Sequence, residues 1–185
     1  MARSELALHR ARRAYERAHV LSAARGLALA AALVVLAFAL HPTSRATWLL
    51  AGALTATLVV LAWRGGAWWR GAFAGVLAGL PPLIAPTLVF ALSHGGHCPS
   101  CEMGPTLPCL LTCFGTSSLV GIFVGHAAIR DRSPHRYALA AIGAAVLTGL
   151  MGCTTTGLGG AIGIVVGLVA GGVTGWVVAG RAAHA

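Results

Sequence analysis

The sequence predicts an all-α protein: a bundle of six transmembrane helices with both termini cytoplasmic and a short amphipathic N-terminal helix ahead of the first span. Three observations predict it. Hydrophobic residues make up 57% of the chain and charged residues 9%, with a mean hydropathy of +0.82, more apolar surface than a soluble domain of 185 residues can bury. Six apolar runs, each without Asp, Glu, Lys or Arg in its interior, are separated by polar breaks. All but Arg45 of the 13 basic residues fall in segments that six antiparallel spans put on one face.

The first run, Gly26 to Leu40, is short for a span of about 20 residues, and it lengthens by starting near Val20 with Arg25 snorkelling to the headgroups. A cleaved signal peptide is the competing view of this region. The long polar lead and the five runs that follow favour an uncleaved span. The other runs are Thr47 to Trp63, Gly71 to Ser93, Leu107 to Ile129, Tyr137 to Cys153 and Leu158 to Gly180. None shows the in/out alternation of a transmembrane barrel strand. Trp48, Trp63, Trp68, Trp69, Trp176 and Tyr137 fall near run ends, where a ring with a polar edge suits the interface. Pro81, Pro82 and Pro86 are expected to interrupt and bend the third helix.

The chain contains no lysine, so arginine alone sets the orientation. Arg3, Arg10, Arg12, Arg13, Arg17 and Arg25 precede span one, Arg64 and Arg70 join spans two and three, Arg130, Arg132 and Arg136 join spans four and five, and Arg181 follows span six. The positive-inside rule then makes residues 1–25 a cytoplasmic basic arm and 26–181 the six-span domain. Richness in Ala, Gly and Arg without lysine suggests a GC-rich bacterial genome and hence the bacterial inner membrane. The net charge of +9 follows from this topology, with adhesion to anionic lipid as a by-product, and needs no nucleic acid.

Residues 93–113 read SHGGHCPSCEMGPTLPCLLTC and lie at the outer face in this topology. His94, His97, Cys98 and Cys101 form an HxxHCxxC loop whose glycines and proline let several ligands point at one centre. Cys109 and Cys113 are four apart and share a face of helix four. Cys153 ends span five at the same membrane face. Thiolates and imidazoles in this number suit zinc or another soft divalent ion. An oxidising compartment equally suits disulfides, and five cysteines leave one unpaired after two bridges. Metal binding, redox sensing, structural bridging and a thiol relay all remain open on spacing alone. Glu102, Met103 and His41 are weaker candidates, and His126, near the inner end of span four, reads as membrane-embedded or, given Arg130 close by, as an interfacial histidine.

Span six carries Gly159, Gly163, Gly167, Gly171 and Gly175 at a strict four-residue interval, and Gly71, Gly75 and Gly79 repeat the device in span three. Such ridges let another helix approach closely, within the bundle or in a homodimer. In the arm, Ser4 can cap a helix that sets Ala7, Ala11, Ala14, Ala18 and Leu21 on one face and Arg10, Arg13 and Arg17 on another. That basic face suits an acidic partner or the lipid surface, and a solvated helical lead-in to span one fits the pattern as well. Ion transport is disfavoured, because no ionisable carboxylate or cation lies within a span.

In its short cytoplasmic arm, its six spans, the His97-Cys98-Pro99 element at the outer end of span three and Cys153 two spans later, the chain resembles the NrsF-like integral-membrane anti-sigma factors of bacteria. The resemblance implies a stress sensor. The arm would hold an extracytoplasmic-function sigma factor until outer-face thiols bind a heavy metal or are oxidised, with Cys98 and Cys153 as the sensing pair. Cys101, Cys109 and Cys113 are additions to the family pattern, and the arm is shorter and more basic. Two other functions compete: a membrane thiol-disulfide oxidoreductase passing electrons from Cys98/Cys101 and Cys109/Cys113 to a quinone, and a soft-metal transporter working through thiols.

Overall fold

The computed structural model describes residues 2–40, 45–92, 107–153 and 158–182, with side chains from Arg12 onward except at 86–92, 107–110, 112, 153, 158, 159 and 182. Six helices account for nearly all of it: α1 (Ala2–Leu40), α2 (Arg45–Arg64), α3 (Gly66–Leu92), α4 (Leu107–Ile129), α5 (Pro134–Cys153) and α6 (Leu158–Ala182). No strand occurs among the described residues.

Two features differ from the sequence-based expectation. The arm is the helical lead-in to span one and not a distinct helix, since α1 runs through 39 residues without a break. No proline interrupts it, and its one glycine, Gly26, is used for packing: a Cβ there would come within 2.8 Å of the Leu58 carbonyl oxygen and of Ala62 Cβ on α2. Nor do the prolines interrupt α3, which stays helical through Pro81, Pro82 and Pro86. Helix α5 makes room for them, because Gly149 faces the Pro82 ring and Gly152 faces the backbone of Pro82 and Leu83.

The junctions are set by local chemistry. Gly65 and Gly66 both take left-handed φ values, +63° and +56°, where a side chain is disfavoured. Gly65 N–H donates to the Leu61 carbonyl and closes the end of α2. At the other short turn, Ser133 precedes Pro134, the first residue of α5, and proline suits that position because its missing N–H has no helical partner there.

Helix pairing dominates the architecture. The most extensive contacts are α4 with α6 and α3 with α5, followed by α1 with α2. The first two are parallel pairs in constant register. Gly71, Gly75 and Gly79 of α3 face Tyr137, Ala141 and Ala145/Thr148 of α5, while Gly167, Gly171 and Gly175 of α6 face Phe114, Ser118 and Ile122 of α4. A Cβ at Gly167 would lie 2.7 Å from the Phe114 carbonyl oxygen, so the absent side chain is what lets the backbones meet. Tyr137, in the first turn of α5, is buried against α3 and α4.

The distribution of side chains is that of a bundle in lipid. Alanine fills much of the interior at Ala30, Ala37, Ala72, Ala140, Ala141, Ala144 and Ala145, while Phe123 (78% exposed) and Leu49 (76%) face outward. In water such a surface would be a liability, and in hydrocarbon it is solvated. Three helical stretches among the described residues, Arg12–Leu40, Arg45–Arg64 and Gly160–Arg181, are long and apolar enough to cross a membrane. The molecule is an all-helical bundle of membrane type.

Candidate functional site

The alternating direction of the helices gives the bundle two chemically different ends. One collects the start of α4 and the end of α5, and therefore brings the helix positions of Cys109 and Cys153 to the same end. The other collects Arg64, Arg70, Arg130, Arg132, Arg136 and Arg181, while Arg45 begins α2 at the cysteine end.

At the cysteine end, His94, His97, Cys98 and Cys101 lie outside the described residues, as do Glu102, Met103 and His41. The side chains of Cys109 and Cys153 also lie outside. Among the described residues, no three His, Cys, Asp or Glu side chains gather in a metal-binding group. Cys113 is described, and it is a core residue: 7% exposed, it packs with Ala145, Ile164 and Leu168 where α4, α5 and α6 meet. That setting suits a thiol packed as a small apolar side chain, because a thiolate ligand there would have to be desolvated. One turn further along α4, Ser117 is fully buried, and on α5 Thr148 is 1% exposed. Neither hydroxyl, nor that of Ser118, has a hydrogen-bond partner. Thr55 and Thr174 differ, each donating to the carbonyl four residues back at 2.7 and 2.8 Å.

The basic end is organised by one acid that the charge pattern alone did not single out. Asp131, in the turn between α4 and α5, accepts from Arg70 Nη2 at 2.8 Å and Nε at 3.0 Å through Oδ2, and from Nη2 at 3.1 Å through Oδ1. Oδ1 also accepts the Ser133 N–H at 3.0 Å. The Ser133 hydrogen bond first, and Arg70 with it, hold the Asp131 carboxyl below the usual carboxylate range against a smaller opposing effect of burial. A lone Asp two residues before a Ser-Pro helix start is a turn signal that could have revealed it.

Helix α1 is fastened to this end through the last turn of α2. His19 Nδ1 donates to the Trp63 carbonyl at 3.0 Å, and Ser22 Oγ donates to the Ala62 carbonyl. Both acceptors are end-of-helix carbonyls without a partner inside α2. The His19 ring also sits between Tyr15 (centroids 4.3 Å apart) and Trp63 (5.3 Å). Beyond His19, residues 12–18 are exposed all round, so the arm leaves the bundle and extends about 26 Å to Ala2 at the helical rise. Arg13 and Arg17 lie on this free part, together with Ala14 and Ala18. Arg10 shares the helix, with its side chain outside the described residues. The face that meets α2 is His19, Ser22 and Gly26, and Leu21 is exposed.

Of the glycine ridge in α6, Gly167, Gly171 and Gly175 are turned to α4, Gly163 is buried, and the surroundings of Gly159 lie outside the described residues. His126 is exposed in the last turn of α4. No family model matches the chain, and no curated protein and no solved structure matches it.

Proposed function

We propose that this protein is a six-span regulatory sensor of the bacterial inner membrane, both termini cytoplasmic, acting as an anti-sigma factor of the NrsF-like kind. Its arm holds an extracytoplasmic-function sigma factor, and its outer-face thiols, Cys98 and Cys153 foremost, release that factor on binding a heavy metal or on oxidation. The observation that carries the reading is α1, one unbroken helix of 39 residues whose exposed arm continues directly into a span packed on α2. A rotation of the bundle is therefore passed to the arm without a flexible joint.

The cysteine positions support a route to such a rotation. Cys109 belongs to the α4/α6 pair and Cys153 to the α3/α5 pair, and the Cys98 loop joins the two pairs. Ligation or oxidation that bridges the loop to Cys153 would shift one pair against the other. The signal need not be large, because a tenfold loss of affinity for the partner is about 1.4 kcal/mol of differential binding between the two states.

The test uses the full chain in proteoliposomes and a fluorescent sigma factor. Cadmium or a mild oxidant should lower sigma-factor binding tenfold or more, and Cys98→Ser with Cys153→Ser should abolish the response while leaving resting affinity intact. Binding that never depends on Arg13 and Arg17, or release that persists in the double variant, would sink the reading.

A further inference from the structure

A cleft of about 270 Å³ opens on the side of the bundle between α5 and the α4/α6 pair, walled by Val124 and Gly125 of α4, Ala138 and Ile142 of α5, and Gly172 and Trp176 of α6. Its lining is almost wholly apolar, and on α6 it extends from Val169 to Val177, about 12 Å along the axis. Gly172 widens it in a specific way. Gly171 beside it is pressed onto the Ser118 backbone, whereas a Cβ at Gly172 would meet nothing nearer than the Gly121 carbonyl oxygen at 3.8 Å. The chain therefore places a glycine where packing between α4 and α6 does not demand one.

The two ends of the cleft are unlike. Toward the bundle centre it is lined by valine and isoleucine. At the basic end it is closed by Trp176 and Val177, and the His135 ring stacks on Trp176 with centroids 5.7 Å apart and planes 25° from parallel. Arg181 lies one helical turn beyond Val177 on the same face of α6, and Arg132 lies in the turn leading into α5; both are exposed. The first turn of α5 adds the positive end of its dipole. The nearby acid, Asp131, is held in a salt bridge by Arg70 and feels Arg132 only through space, and neither Arg132 nor Arg181 makes a salt bridge among the described residues.

We propose that this cleft is a binding site for an anionic phospholipid, one acyl chain lying between α5 and the α4/α6 pair and the headgroup phosphate held at Arg181 and Arg132 beside the His135–Trp176 stack. The chemistry is complementary at both ends. An apolar slot in the wall of a membrane bundle is filled by hydrocarbon, and exposed arginines outside any salt bridge at its interfacial mouth select a headgroup with negative charge. The seam it occupies separates the glycine-locked pairs, so the bound chain fills the gap along which α5 faces α4 and α6. The inference rests on the membrane reading of the bundle and is independent of the sensor.

Trp176 reports on its own site. The full chain with Trp48, Trp63, Trp68 and Trp69 changed to Phe is reconstituted into zwitterionic bilayers containing a minor fraction of brominated phosphatidylglycerol or, in parallel, brominated phosphatidylcholine. The anionic lipid should quench Trp176 well beyond its mole fraction, and the zwitterionic lipid only in proportion. Gly172→Leu, which fills the slot, should remove the excess quenching. Arg181→Gln and Arg132→Gln should each cut the anionic preference about fivefold. Equal quenching by the two lipids overturns the proposal, and quenching by neither overturns the membrane reading with it. Should the four-Phe chain fail to fold, native mass spectrometry of the unmodified protein reads the same preference: retained phosphatidylglycerol that Gly172→Leu loses supports the site, and retention unaltered by Gly172→Leu overturns it.

Discussion

Single atoms decide how closely the helices of this bundle meet, and the buried hydroxyls show it from the unfavourable side. Thr148 packs its Cβ and methyl against Gly79 and leaves Oγ1 without a partner, and Ser117 is buried beside Gly167 in the same condition. An unpaired buried hydroxyl costs about 1–3 kcal/mol. Thr148→Val keeps the shape and removes the hydroxyl, so it should raise the thermal midpoint in detergent by the equivalent of about 1 kcal/mol; a clear loss of stability would show that the hydroxyl is paired. Asp131 works in the other direction. Its carboxyl titrates below 3.8, the ordinary value, so its stabilisation is complete above that pH and is lost as pH falls through the lower folded value. Arg70 is 56% exposed, which limits the pair to at most about 1 kcal/mol. Asp131→Asn should lower stability by that amount at neutral pH, and the two proteins should converge in strong acid. A gap that stays constant with pH would assign the loss to the turn itself.

Among the elements, the joints carry more information than the helices. Gly65 and Gly66 have open space around their Cβ positions, so the cost of a side chain there is purely conformational. Replacing either with Ala should destabilise the α2–α3 hairpin by about 1–2 kcal/mol, measured by thermal unfolding in detergent, and replacing both should cost nearly twice that. A neutral double variant would mean the turn has another conformation open to it. The helices themselves were legible from hydropathy and arginine placement, to within a few residues for α2, α4, α5 and α6, because a lipid-facing surface leaves little room for polar breaks inside a span. What the sequence could not decide was whether the arm and span one form a single helix, and it did not reveal the continuity of α3 past its prolines. Both depend on a partner, since α2 supplies carbonyls to His19 and Ser22, and α5 supplies glycines to Pro82 and Leu83. The candidate site was legible as a cluster of ligand types. The burial of Cys113 was not, because a thiol four residues from another reads the same whether its face meets water or the core.

At the scale of the whole molecule, the two parallel pairs are interleaved in the chain: α3 pairs with α5 across α4, and α4 pairs with α6 across α5. Neither pair can close until the helix between its members has been placed, so assembly of the second half depends on the first throughout. A break in the turn between α4 and α5 cuts across both pairs and leaves only the helices themselves to hold the fragments together. Coexpressed fragments 1–131 and 132–185 should therefore copurify as a complex, while each alone should be degraded, as follows if spans insert independently and then associate through packing. Gly171 tests whether the glycine register is what joins them, because any side chain there runs into the Ser118 backbone. Gly171→Val should cost about 1–3 kcal/mol in the intact protein, where the α4–α5 turn still tethers the two halves, and it should sharply lower copurification of the fragments, which then keep only the α3–α5 pair between them. Gly143, with open space at its Cβ, is the matched control, and Gly143→Val should leave the complex intact. Equal recovery with both variants would show that the fragments are held by something other than the α4–α6 register.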